Sequence, residues 1–138
     1  MNLTQVVDTA LKSFRHEIPE YVASGIVDMS TGMLLDADTV DEHPREILDV
    51  LAAATADLFQ GRTVTQVEHM WRERRGLEPG AHHYFQEILV NSDSLIHLFL
   101  RSRHSPDIVA AVVCRLEANL GMLLAQARQV MRELDGAR

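Results

Sequence analysis

The sequence predicts an α/β protein: an α/β/α sandwich on a five-stranded, mostly antiparallel sheet, with element order α-β-β-α-β-β-β-α. Three observations lead there. Two segments, 21–39 and 84–102, each hold two apolar runs separated by turn residues, as hairpins do. The stretch "IVAAVVC" is apolar throughout, as a strand is when both of its faces are covered. Segments of helical period stand before, between and after these strands.

The elements follow in order. Leu3, Val6, Val7, Ala10, Leu11 and Phe14 mark one face of a first helix. Pro19 disfavours helix at Ile18 and ends it. Strands Tyr21–Asp28 and Met33–Thr39 flank "MSTG", where Gly32 can supply the positive φ of a tight turn. Gly25 inside the first strand indicates a bulge or a close neighbour. In "DEHPREILDVLAAATADLFQG", Pro44 suits a first helical position and Gly61 an end. Ile47, Leu51, Ala54 and Leu58 form a stripe on this helix, with Leu48, Thr55 and Phe59 beside it. "RTVTQVEHMWRERRG" continues as a kinked or second helix, with capping-box spacing at Thr65 and Glu68; Val64, Val67 and Trp71 share a face. "LEPGAHH" reads as a loop. In the next hairpin Ile88 and Val90 share one face of the first arm, Phe85 and Leu89 the other, and "NSDS" makes the turn. The apolar strand belongs at the centre of the sheet. The last helix carries Leu116, Leu120, Leu123, Leu124, Ala127, Val130 and Met131. Gly121 lies near its start. An interior glycine costs a helix roughly 1 kcal/mol relative to alanine. The expected return is a closer approach of this helix to the sheet or to another helix.

The 138 residues suit one domain spanning 1–138, large enough for a core without staples. A net charge of −7 argues against nucleic-acid binding, because phosphates would be repelled. With one cysteine there is no internal disulfide, which suits a reducing compartment. No apolar run is long enough for a membrane span, and "MNLTQVVDTALKSF" is not a signal peptide; a cytoplasmic location is expected.

Reactive residues are scattered. Cys114 closes an apolar strand and reads as an inert buried thiol. No serine has a G-x-S-x-G setting, and no phosphate-loop pattern surrounds Gly121. His82 and His83 are adjacent and diverge on a strand; His69, His97 and His104 stand alone, and His97 suits a half-buried strand position. Asp28, Asp36 and Asp38 belong to the first hairpin. No catalytic residue, metal or cofactor is implied, and the expectation is a protein without enzymatic activity. "HMWRERRG" stands out: Trp71 and Arg72, beside Arg74 and Arg75, are residue types favoured at interface hot spots. The plainer reading is a solvated helix face with one core tryptophan.

"YFQEILVNS" reads as an outer strand, bearing Phe85, Glu87 and Leu89. Such an edge exposes unpaired backbone groups, and pairing with the same strand of a second copy satisfies them by two-fold symmetry. The stripe Ile47, Leu51, Ala54 and Leu58 would meet its symmetry mate, with small Ala52, Ala53 and Ala54 permitting close contact. Alternatively, this helix merely covers its own sheet.

"IVAAVVCRLEANLGMLLAQARQVM" resembles the closing strand and helix of the roadblock / dynein light chain 7 domain family, in which "nlG" opens the last helix. "GIVDMSTGMLLD" is similar to that family's first hairpin. The resemblance covers roughly residues 3–134. "TVTQVEHMWRERRGLEPGAHH" is longer than the corresponding connection. The resemblance implies a single roadblock-like domain that forms a homodimer through the outer strand and second helix. It implies a non-catalytic platform: some members belong to dynein-type motors, and others, bacterial ones included, bind small Ras-like GTPases. The alternatives are a small-molecule sensor, for which apolar strands leave little room, and a structural adaptor of a larger complex.

Overall fold

The computed structural model describes residues 2–41, 45–76 and 83–137; the side chains of residues 45–47 and 49 lie outside the described set. Pro44, His82 and most of the "LEPGAHH" loop therefore fall outside it, as does the side chain of Ile47.

The elements are α1 (Leu3–Glu17), β1 (Tyr21–Asp28), β2 (Met33–Thr39), α2 (Arg45–Gln60), α3 (Arg62–Arg75), β3 (Glu87–Asn91), β4 (Leu95–Arg101), β5 (Ile108–Arg115) and α4 (Leu120–Gly136). The expected order holds, with the second helical region divided in two. The strands form one sheet, ordered β2-β1-β5-β4-β3, and every neighbouring pair is antiparallel. The apolar strand β5 is central and β3 lies at an edge, as the sequence predicts.

Alternation along the strands sorts side chains to two faces. Ile26, Leu98, Val112 and Cys114 join Leu11 and Phe14 of α1 and Leu123, Ala127 and Val130 of α4 in the larger core. Val27, Phe99 and Val109 meet Ala52 and Phe59 of α2 on the opposite face. The Phe59 and Phe99 rings pack edge to face at 6.3 Å. Cover on the α2 side is incomplete: Ala111 and Val113 of the central strand, and His97 beside Val113, are only half-buried.

α1 is anchored at both ends. Asn2 and Gln5 form a capping box at its start. Near its end Arg15 donates to both carboxylate oxygens of Asp38 on β2, at 2.7 and 3.1 Å. Tyr21 on β1 donates to the same carboxylate at 2.7 Å. In the first turn Gly32 sits at φ 72°, the left-handed region that favours glycine. Asp28 accepts from the Ser30 backbone N–H and hydroxyl. Of the two readings of Gly25 the close neighbour holds; the bulge nearby lies on β2 and not at the glycine, which pairs with Ala37 and Ala111. The β1–β2 register slips between Ile26 and Val27, so that Leu35 bulges. A Cβ on Gly25 would lie 3.2 Å from Leu34 Cδ1.

Three expectations need correction. Gly61 separates α2 from α3, and it is the N-cap of α3, so Thr65 is not. Thr65 lies one turn in and donates back to the Gly61 carbonyl at 3.0 Å, while Glu68 is buried. Leu116 falls in the turn before α4, exposed, because Asn119 caps the helix through the Met122 N–H. Gly121 is thus in the first turn and not the interior. It is exposed, and a Cβ there would meet only the Asn119 side-chain oxygen, at 3.3 Å. No closer approach of helix to sheet depends on it; the glycine leaves room for the cap.

Candidate functional site

The sequence-derived interface residues fall into two groups. The first lies on α2 and β3. Leu48, Ala52, Thr55 and Phe59 face the sheet. Thr55 turns its hydroxyl back onto the Leu51 carbonyl at 2.8 Å, which lets a polar residue sit in that buried row. Leu51, Ala54 and Leu58 are exposed, Leu51 at the mouth of the groove between α2 and the sheet, and Val50 beside them is 68% exposed. One row of α2 covers its own sheet and another is left bare. On β3, Leu89 and Val90 project to opposite faces, each 40% exposed. Glu87 accepts from Nε and a terminal nitrogen of Arg128 on α4, at 2.9 and 2.8 Å. That pair keeps the Glu87 carboxyl below the usual range.

The second group surrounds a buried acid, Glu68, which the sequence reading assigns to a helix cap and not to an interface. Glu68 of α3 accepts from the Tyr84 backbone N–H at 2.6 Å and lies 3.3 Å from His83 Nδ1. Arg72, one turn on, approaches it at 3.9 Å. Trp71 is half-buried and stacks on Tyr84 at 5.6 Å, and Tyr84 meets Phe85 at 5.1 Å. Trp71 is therefore not a core tryptophan; it joins α3 to the approach to β3.

Arg101, at the end of β4, is only 5% exposed. Its Nε donates to the Phe85 carbonyl at 3.1 Å and a terminal nitrogen to the Pro106 carbonyl at 2.7 Å. The guanidinium lies 5.0 Å over the Phe59 ring. Its other terminal nitrogen is buried without a hydrogen-bond partner among the described residues. Burial pulls the Arg101 guanidinium below its ordinary value, against the attraction of Glu68 and Asp107. Burial, then Arg101, lowers His83 as well, so the neutral imidazole is favoured there. The signal for Arg101 was present: two-residue alternation places it with His97 and Phe99 on the α2 side of the sheet.

Two clefts meet at Gln86, Arg101 and Arg103. One, of about 430 Å³, is lined also by Trp71, His83, Tyr84, Ser102 and Pro106. The other, of about 610 Å³, runs beneath α4 past Glu87, Arg128 and Arg132. The apolar groove between α2 and the sheet holds only about 70 Å³. The sequence reading of little ligand room holds for that groove but not for the polar clefts. Cys114 is buried, as expected, and burial pushes its thiol up. His97 is half-buried, also as expected, and burial lowers it. Among the described residues no helix is long and apolar enough to cross a membrane. No group of three or more metal-ligating side chains occurs among them either.

No protein-family model matches the chain. No curated protein matches it either. Solved structures do. An MglB with a tetrameric arrangement superimposes with TM-score 0.73 at 14% identity, over 99% of this chain and 90% of that one. MglB from Myxococcus xanthus gives 0.70 at 13% identity, over 99% and 97%. A Roadblock/LC7 domain from Streptomyces avermitilis gives 0.63 at 12% identity, over 99% and 98%. At such low identity the likeness speaks to the fold, and with the strand order and layers above it leads to one conclusion: this chain has a roadblock/LC7-type fold.

Proposed function

We propose that the protein is a non-catalytic homodimeric platform that binds a small Ras-like GTPase. The observation that carries this reading is the bare apolar row of α2, Val50, Leu51 and Leu58, on the same molecule as a half-exposed edge strand, β3. Monomers rarely leave such apolar surface uncovered without a partner. A second copy covers both features at once: β3 pairs with its mate, and α2 packs on α2 across the same two-fold axis. The small Ala54 lets the two helices approach closely.

The composite surface then presents two α2 helices and a continued sheet to a third protein. Regulation follows if that surface binds one nucleotide state of the GTPase more tightly than the other. No step of this mechanism needs a reactive side chain on the platform.

Light scattering tests the first part: the expected mass is that of two chains, and Leu89→Arg should yield monomer or aggregate. A dimer unaffected by Leu89→Arg would refute the strand interface. The second part is tested by titrating Ras-like GTPases from the native cell, loaded with GDP or a GTP analogue. Equal or absent binding in both states would count against it.

A further inference from the structure

We propose that the cleft between α3 and the end of β4 is a docking site for an acidic segment of a protein partner, a carboxylate entering beside Arg103 and Arg101 while an apolar neighbour packs on Tyr84 and Trp71. The site lies apart from the bare row of α2, and the proposal does not depend on dimerisation.

Charge is the first argument. The chain carries −7 overall, yet α3 alone holds four arginines against two glutamates. Among the described residues, the cleft of about 430 Å³ is lined by two arginines and by no carboxylate. The carboxylates that oppose Arg101, Glu68 and Asp107, are not part of that lining. His83 adds no fixed negative charge. The described lining is thus positive in an acidic protein, with Asp135 at its border, where it accepts from the Ser102 hydroxyl and the Arg103 backbone N–H.

The second argument is how Arg101 is held. Among the described residues, its two hydrogen bonds go to neutral carbonyls and one nitrogen has no partner. No described acid bonds it directly; Glu68 and Asp107 only attract it from nearby. Set in a poorly screened site, it acts on the cleft it lines with less loss to solvent than an exposed arginine would. Arg103 stands exposed at the junction of the two clefts, and its guanidinium makes no hydrogen bond to a described residue. The outer arginine supplies the direct contact and the inner one the field.

The surroundings of the cleft suit a protein better than a free anion. The cleft wall holds the aromatic Trp71 and Tyr84, and Tyr84 is 45% exposed, with the exposed Phe85 ring beside it at 5.1 Å. Val67 and Met70 continue that apolar rim along α3. A small anion would leave this rim uncovered; a peptide with apolar residues beside its acids covers it. The walls are already fixed, since Glu68 holds the Tyr84 backbone and Gln86 donates to the His83 carbonyl at 2.7 Å. A polynucleotide is disfavoured by the net charge of the whole chain.

The protein's single tryptophan, Trp71, reports on this cleft directly. The full chain is titrated with a short peptide of glutamate, leucine and phenylalanine, and with a counterpart carrying glutamine for glutamate. The acidic peptide should change the tryptophan emission saturably, and the amide peptide should bind at least about tenfold more weakly. Arg103→Glu, an exposed change that preserves the core, should cost about tenfold in affinity for the acidic peptide and leave the mass in solution unchanged. Equal binding of the two peptides would overturn the proposal. So would undiminished affinity in Arg103→Glu, or no binding at all. If acetate or inorganic phosphate alone saturates the same emission change at matched ionic strength, the site belongs to a free anion and the peptide reading fails. Preference for a DNA duplex would overturn it equally.

Discussion

Asp38 accepts hydrogen bonds from two side chains, Arg15 of α1 and Tyr21 of β1. Arg15 first, then the Tyr21 hydroxyl, holds its carboxyl below the ordinary value of 3.8. The folded chain therefore binds this proton less tightly than the unfolded chain does. The resulting stability is present in full above the ordinary carboxylate range and is lost as pH falls through the depressed folded value. Asp38→Asn should flatten the fall of Tm below about pH 4, the usual carboxylate range; an unchanged slope would assign acid sensitivity elsewhere. Gly61 makes a different single-residue demand. A Cβ there would stand 2.6 Å from the Asp57 carbonyl oxygen, closer than real contacts allow. Backbone must move to accept it, so Gly61→Ala should destabilise by about 2 kcal/mol in urea unfolding. A neutral result would mean that the α2–α3 junction adjusts freely.

At the scale of elements, α2 divides its surface between two uses. The row through Ala52, Thr55 and Phe59 is buried, and the row through Leu51, Ala54 and Leu58 is not. Substitutions in the two rows should therefore separate stability from assembly. Leu51→Glu removes no contact of the kind that holds Phe59, so the monomer's Tm should shift little. Its dimer should weaken by at least about tenfold, as expected when a charge enters an apolar contact. Sedimentation across a concentration series checks this, and an unaltered dimer would exclude the outer row of α2. α3 behaves otherwise: its attachment rests on the buried Glu68 and on the Trp71–Tyr84 stack, contacts made with residues just before β3.

For the molecule as a whole, the layers were legible because each depends on local pattern. Two-residue alternation, turn residues around Gly32 and the unbroken apolar run of β5 fix the strands and the centre of the sheet. The bare row of α2 was legible too, as a stripe of helical period. What escaped was set by partners distant in sequence. Glu68 looked like a capping residue, yet its partners His83 and Tyr84 come 15 and 16 residues later. Arg101 looked like a strand-end charge, yet its bed is Phe59 and the Phe85 and Pro106 carbonyls. Gly121 was misread because Leu116 precedes Leu120 by one helical step, which draws the helix start back past its Asn119 cap. The sheet's two margins also differ. β2 carries a bulge at Leu35 and two aspartates, Asp36 and Asp38, features that discourage strand addition, whereas β3 carries Leu89 and Val90. Growth by strand joining is thus open at one side only, so copies that meet there have no free end left to recruit a third. Such a sheet terminates its own polymerisation, and concentrating the protein should lead to a plateau in mass and not to fibres.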